Sequence, residues 1–138
     1  RWTADELPGG PKQWFCIDND QEARALLSKH APAAPVVLSG HRHIGLNQKE
    51  INGVNYFIMP SINSHPMRYT LFTISNKHVS WRTPMVDVSE SKHLEAKSNL
   101  LQATWWRASQ FQEDSTFNNA KVLGLYENND MTLGSIPL

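Results

Sequence analysis

The sequence predicts a mixed α/β fold, α+β-like in its element order, with helices packed on a sheet that contains antiparallel pairs. Three observations predict it. Residues 19–30 carry apolar side chains at helical spacing. Pro35-Val36-Val37-Leu38-Ser39 is a short apolar run bounded by turn residues, too short for a helix and suited to a buried strand. Asn52-Gly53 separates two β-like runs, the strongest short-range hairpin signal.

The first helix is expected over 19–30. Ala23, Leu26, Leu27 and His30 form its apolar stripe, Asn19 or Asp20 can cap it, and Pro32 stops it. Residues 1–13 read as loop around Pro8-Gly9-Gly10-Pro11. After the strand at 35–39 comes the hairpin, with arms near 46–51 and 54–59. Tyr56-Phe57-Ile58-Met59 is apolar on both faces, as a central strand is. Residues 60–66 read as loop and 68–75 as a further strand. Asn76-Lys77 makes a tight turn into a strand where Val79, Trp81 and Thr83 alternate with Ser80 and Arg82. A second helix is expected over 89–110, with Leu94, Leu101, Trp105 and Ala108 on one face. Asp87 and Glu90 could begin it as a capping box. The remainder reads as a polar tail, interrupted by Val122-Leu123-Gly124-Leu125-Tyr126. The organisation expected is therefore a first unit over 1–88 and a helical extension with a polar tail over 89–138.

The chain has 138 residues, a one-domain length that can bury a core without disulfide staples. Hydrophobic residues are 40% and charged residues 19%, which excludes disordered, collagen-like and coiled-coil classes. Lys plus Arg and Asp plus Glu are 13 each. A net charge of zero argues against a surface built for nucleic acid or acidic lipid. No apolar run approaches the roughly 18 residues of a membrane span. Cys16 is the single cysteine and cannot form an internal disulfide, which slightly favours a reducing compartment such as the cytoplasm. Beside Trp14 and Phe15 it reads as a buried hydrophobe.

The residues best suited to chemistry are Ser39-Gly40-His41-Arg42-His43. Two histidines at i and i+2 diverge in an extended segment but can converge on a metal cluster in a turn after a strand. Neutral imidazole is the commonest metal ligand, and Gly40 permits a backbone approach that a Cβ would block. By spacing alone, two surface histidines in a polar turn remain the blander alternative.

Residues 35–44, Pro-Val-Val-Leu-Ser-Gly-His-Arg-His-Ile, resemble the last signature of the calcineurin-like metallophosphoesterases, in which a buried strand runs into Gly-His-x-His. The preceding helix at 20–30, the Asn52-Gly53 hairpin, Met59-Pro60-Ser61 and Pro66-Met67-Arg68-Tyr69 extend the similarity over about 14–86. The resemblance implies the C-terminal half of a two-sheet sandwich flanked by helices. It implies hydrolysis of phosphomono- or phosphodiesters by a hydroxide bridging two divalent ions, Mn, Fe, Zn or similar. His41 and His43 match the metal ligands. Arg42, His65 and Arg68 are the candidates for contact with substrate phosphate, and Ser61 and Asn63 for lining the pocket.

The sequence also departs from the family pattern. It contains no Asp-x-His, no Gly-Asp and no Gly-Asn, so the bridging aspartate and most other ligands are missing. With Arg1 in place of an initiator Met, the expectation is a C-terminal piece whose partner is the N-terminal half of the same domain. The chain alone is then inactive, and it should expose an apolar sheet face that the other half would cover. One alternative is a non-catalytic binding or scaffolding module of the same fold. Another is an unrelated α+β interaction domain with Trp105 and Trp106 at its interface. His30, reading as a packing residue, and His78 and His93 receive no role.

Overall fold

The computed structural model describes residues 19–33, 35–41, 43–102, 123–124, 126–127 and 132–138. Arg42, Cys16, Trp105 and Trp106 lie outside the described residues. The fold is mixed α/β. Helix α1 spans Asp20–Lys29, β1 Val36–Ser39, β2 Asn47–Ile51, β3 Val54–Ile58, β4 Leu71–Ile74, β5 His78–Arg82, α2 Glu90–Gln102 and β6 Leu133–Pro137. Two three-stranded sheets result, ordered β1-β3-β2 and β4-β5-β6. No helix among the described residues is long and apolar enough to cross a membrane.

The hairpin forms as its turn dictates. Asn52 and Gly53 take φ of 51° and 78°, the left-handed pair that a two-residue hairpin turn needs. That turn sets β2 antiparallel to β3 with Ile51 opposite Val54. β1 adds to the other side of β3 in parallel, Ser39 opposite Ile58. β3 is thus the central strand, with Val54 and Phe57 wholly buried. In the second sheet, β4 and β5 meet through a tight turn in which the Ser75 amide donates to the His78 carbonyl at 3.0 Å. Val79, Trp81 and Thr83 are buried, as their alternation predicts.

The two sheets meet through aromatic side chains. Phe57 makes edge-to-face contacts with Phe72 and Trp81, ring centroids 5.3 and 5.0 Å apart. Leu46 completes the cluster, and Val36, Met59 and Ile136 pack around it. Such pairs contribute about 0.5–1.5 kcal/mol beyond their area burial.

Several expectations need correction. Phe72 and Trp81 of the second sheet pack on Phe57 of the first, and large apolar side chains stay exposed elsewhere, Leu38 at 53% on edge strand β1 and Ile74 at 74% on β4. The reading of a polar tail misses β6, which pairs antiparallel with β5. Gly134 lies opposite Trp81 there, and the indole covers the space a Cβ would take. A five-residue strand whose inward positions are Gly134 and Ile136 is too weak a periodic signal to stand out.

The helices also differ from their patterns. The α1 stripe is not buried: Leu26 is 59% exposed. The buried residue on α1 is Asp20, whose carboxylate pairs with Arg24 at 3.1 Å. Asn19 occupies the N-cap without a side-chain hydrogen bond. α2 is described from Glu90 to Gln102, and its expected continuation lies beyond the described residues. Leu94 on its expected apolar face is 59% exposed. The helix starts on the Ser89 carbonyl, which accepts from the Lys92 and His93 amides, and His93 is tied to the Val86 carbonyl at 3.1 Å.

Candidate functional site

Parallel pairing of β1 with β3 brings the C-terminal ends of both strands to one edge of the sheet. The Met59 amide donates to the Ser39 carbonyl at 2.7 Å and locks the two exits side by side. The loop carrying His41 and His43 therefore leaves beside the loop carrying Ser61 to His65. Carboxyl ends of parallel strands are where open α/β sheets place their sites, because both connecting loops converge there.

His41 and His43 are both exposed, with φ of 79° and 56°. A left-handed conformation at a non-glycine residue is uncommon, and His41 and His43 both adopt it. His43 Nδ1 lies 3.4 Å from Ser64 Oγ, 21 residues along the chain. Among the described residues, no group of three or more His, Cys, Asp or Glu side chains could hold a metal ion. His41 and His43 thus lack a third described ligand, and the described residues do not by themselves complete a metal site.

Ser61 is buried and shapes the second loop. Its hydroxyl donates to Asn63 Oδ1 at 2.7 Å and its carbonyl accepts from the Arg68 amide at 2.9 Å. Asn63 reaches the pocket and Ser61 does not. His65 precedes a cis peptide bond to Pro66 and is buried, 8% exposed. Its Nε2 lies 3.0 Å from Glu127 Oε1, which also receives Lys97 Nζ at 2.8 Å. The imidazole nitrogen is within ion-pair distance but is not aligned for a hydrogen bond. Burial pushes the His65 pKa below its ordinary value, against the opposing pull of Glu127 and with help from Lys97 and Arg68. Burial opposes ionisation of Glu127 as well, yet Lys97 and His65 hold its carboxyl below the usual range. Both groups are thus shifted downward. At neutral pH the state that satisfies both is a neutral imidazole beside a carboxylate held by Lys97.

Arg68 is turned toward the second sheet. Its Nη1 donates to the Thr83 carbonyl at 3.4 Å, and its backbone bridges Met85. It acts on His65 through its charge but does not line the pocket.

A cavity of about 350 Å3 opens between these loops and α2. His43, Asn63, Ser64 and His65 form one wall. Lys92, Glu95, Ala96, Asn99 and Leu100 form the other, with Met67 and Tyr126 between. The structure thus brings His43 and His65 to one cavity. It adds Glu127 and the α2 residues, which the sequence did not single out. Only the perturbed surroundings of a buried histidine mark them.

No family model, curated protein or solved structure matches the chain.

Proposed function

We propose that the chain supplies the Gly-His-x-His edge of a metal-dependent phosphoesterase, a hydrolase of phosphomono- or phosphodiesters. His41 and His43 are the ligands it contributes to a site for two divalent ions such as Mn, Fe or Zn. The observation that carries this reading is the position of that loop. It leaves a strand paired in parallel, with both histidines in left-handed conformation, and its His43, though not His41, lines the cavity that His65 of the neighbouring loop also lines. Bound ions of this kind activate water and neutralise phosphate charge. The remaining ligands, the bridging carboxylate among them, belong in this reading to an N-terminal half of the domain. The chain by itself is then inactive. Arg42 is the candidate for a phosphate contact from the same loop.

The absence of a third described ligand favours one competing reading, a binding or scaffolding module without catalysis. Intact mass and metal content of one purified sample separate the two. A mass well above 15.7 kDa with about two transition-metal ions per complex supports the phosphoesterase. His41→Ala and His43→Ala should then each cut metal content and phosphodiester hydrolysis. A mass near 15.7 kDa without stoichiometric metal overturns it in favour of the binding module.

A further inference from the structure

Each sheet has two edge strands, and they differ in how they are guarded. β2 carries Lys49 and Glu50, and β6 ends in Pro137, which has no N–H to offer. Charges and prolines of this kind keep a strand edge from pairing with another chain. β1 runs into the loop of His41 and His43, where the phosphoesterase reading places its N-terminal half. β4, Leu71-Phe72-Thr73-Ile74, has neither device. Among the described residues it pairs with β5 alone, and Leu71, Thr73 and Ile74 are exposed, Ile74 at 74%.

The hydrogen bonds between β4 and β5 fix what that edge offers. The Ser75 amide donates to the His78 carbonyl and the Tyr69 amide to the Pro84 carbonyl, so the odd-numbered residues of this segment turn their backbone groups toward β5. By alternation Phe72 and Ile74 turn theirs outward. These two residues lie symmetrically about Thr73. A second β4, antiparallel and centred on Thr73, therefore sets Phe72 opposite Ile74 and Ile74 opposite Phe72. Every outward N–H and C=O of the strand then finds a partner. The strand carries no charge, so the symmetry brings no like charges face to face within it. Phe72 lies on the inner face against Phe57, and Ile74, two residues on, shares that face. In this register each exposed Ile74 packs beside the Phe72 of the other copy.

We propose that two copies of this chain associate through β4, antiparallel about a two-fold axis at Thr73, joining their three-stranded sheets into one six-stranded sheet. This pairing does not rest on the phosphoesterase reading.

The test is sedimentation equilibrium of the intact chain from about 10 µM to about 1 mM, since a contact of one short strand belongs with weak, transient interfaces. The mass should rise from 15.7 kDa toward twice that value, while each chain still weighs 15.7 kDa in denaturant. Thr73 meets its own copy on the axis. Thr73→Lys and Thr73→Glu should therefore each weaken association about tenfold or more, and an equimolar mixture of the two should restore it. Ile74→Lys, at a residue that is 74% exposed, should give the same loss even where a Thr73 variant fails to fold. Ser135→Lys, exposed on β6 at the far edge of the same sheet, should leave association unchanged. Four results would overturn the proposal: a chain that stays at 15.7 kDa throughout, association that survives the β4 substitutions, equal loss with Ser135→Lys, or folded Thr73 variants that do not associate when mixed.

Discussion

His43 and Ser64 stand 3.4 Å apart, Nδ1 to Oγ, because two parallel strands end side by side. Neither residue is placed by its own neighbours in sequence. The Ser39–Met59 hydrogen bond sets the spacing of the two exits, and His41 and His43 both take left-handed backbone conformations beyond it.

That conformation can be tested through stability. A left-handed conformation costs about 1–2 kcal/mol for a residue with a Cβ. His43→Val should therefore lower the unfolding free energy by about 1 kcal/mol, since a branched Cβ tolerates this region least. His43→Gly should leave it unchanged or raise it, although the imidazole is gone. Urea denaturation of the two variants checks this, and equal losses would show that the side chain, not the backbone, matters there.

His65 should confer a pH dependence on stability. Its pKa is lowered in the fold, so between the folded value and about 6.5 the unfolded chain binds more protons. Stability from this group is then full above about 6.5 and is lost as pH falls through the folded value. Imidazole NMR should give a His65 midpoint below 6.5. His65→Asn should flatten the part of the stability profile that lies below about pH 6.5 and above the folded His65 midpoint. Glu127 has its folded pKa lowered too, so its contribution is present above about 4.5 and fades as pH falls further. Glu127→Gln should depress the His65 midpoint again, because a carboxylate that favours the imidazolium is removed. A rise would contradict the arrangement.

Gly134 should be intolerant of any side chain. A Cβ there would come within 2.6 Å of the Trp81 ring atom Cε2 and 2.8 Å of Cη2. Gly134→Ala is expected to cost about 1–3 kcal/mol by overpacking. Adding Trp81→Phe, which withdraws the indole, should recover part of that loss. A double-mutant cycle measures the coupling, and additive losses would mean that the two residues do not meet.

Phe57 is the common partner of both aromatic contacts between the sheets. Phe57→Ala should cost about 3–5 kcal/mol and release the sheets together, in one cooperative transition. Two separate transitions would show that the sheets fold independently.

The elements legible in the sequence were those whose reason is local. Asn52-Gly53 names its own turn, since few residues accept two successive positive φ values. The alternation of Val79, Trp81 and Thr83 shows one dry face, and Val36-Val37-Leu38 shows a strand. The Gly-His-x-His loop is visible as a pattern, and so are His41 and His43 as candidates. Tertiary structure decided the rest. The α1 pattern gave an apolar stripe of Ala23, Leu26, Leu27 and His30, yet Leu26 faces solvent and Asp20 is covered, because amphipathicity does not say whether a partner surface exists. β6 carries little periodic signal and becomes a strand because β5 offers an unpaired edge and Trp81 needs a glycine opposite. The contact of Phe57 with Phe72 and Trp81 joins two sheets that no local pattern connects. The His65–Glu127–Lys97 cluster joins residues from a loop, a distant segment and a helix, which no spacing rule connects. Local backbone preference acts over a few residues and is written in order along the chain. Burial and charge pairing act through space, and only the packed sheets decide which side chains meet.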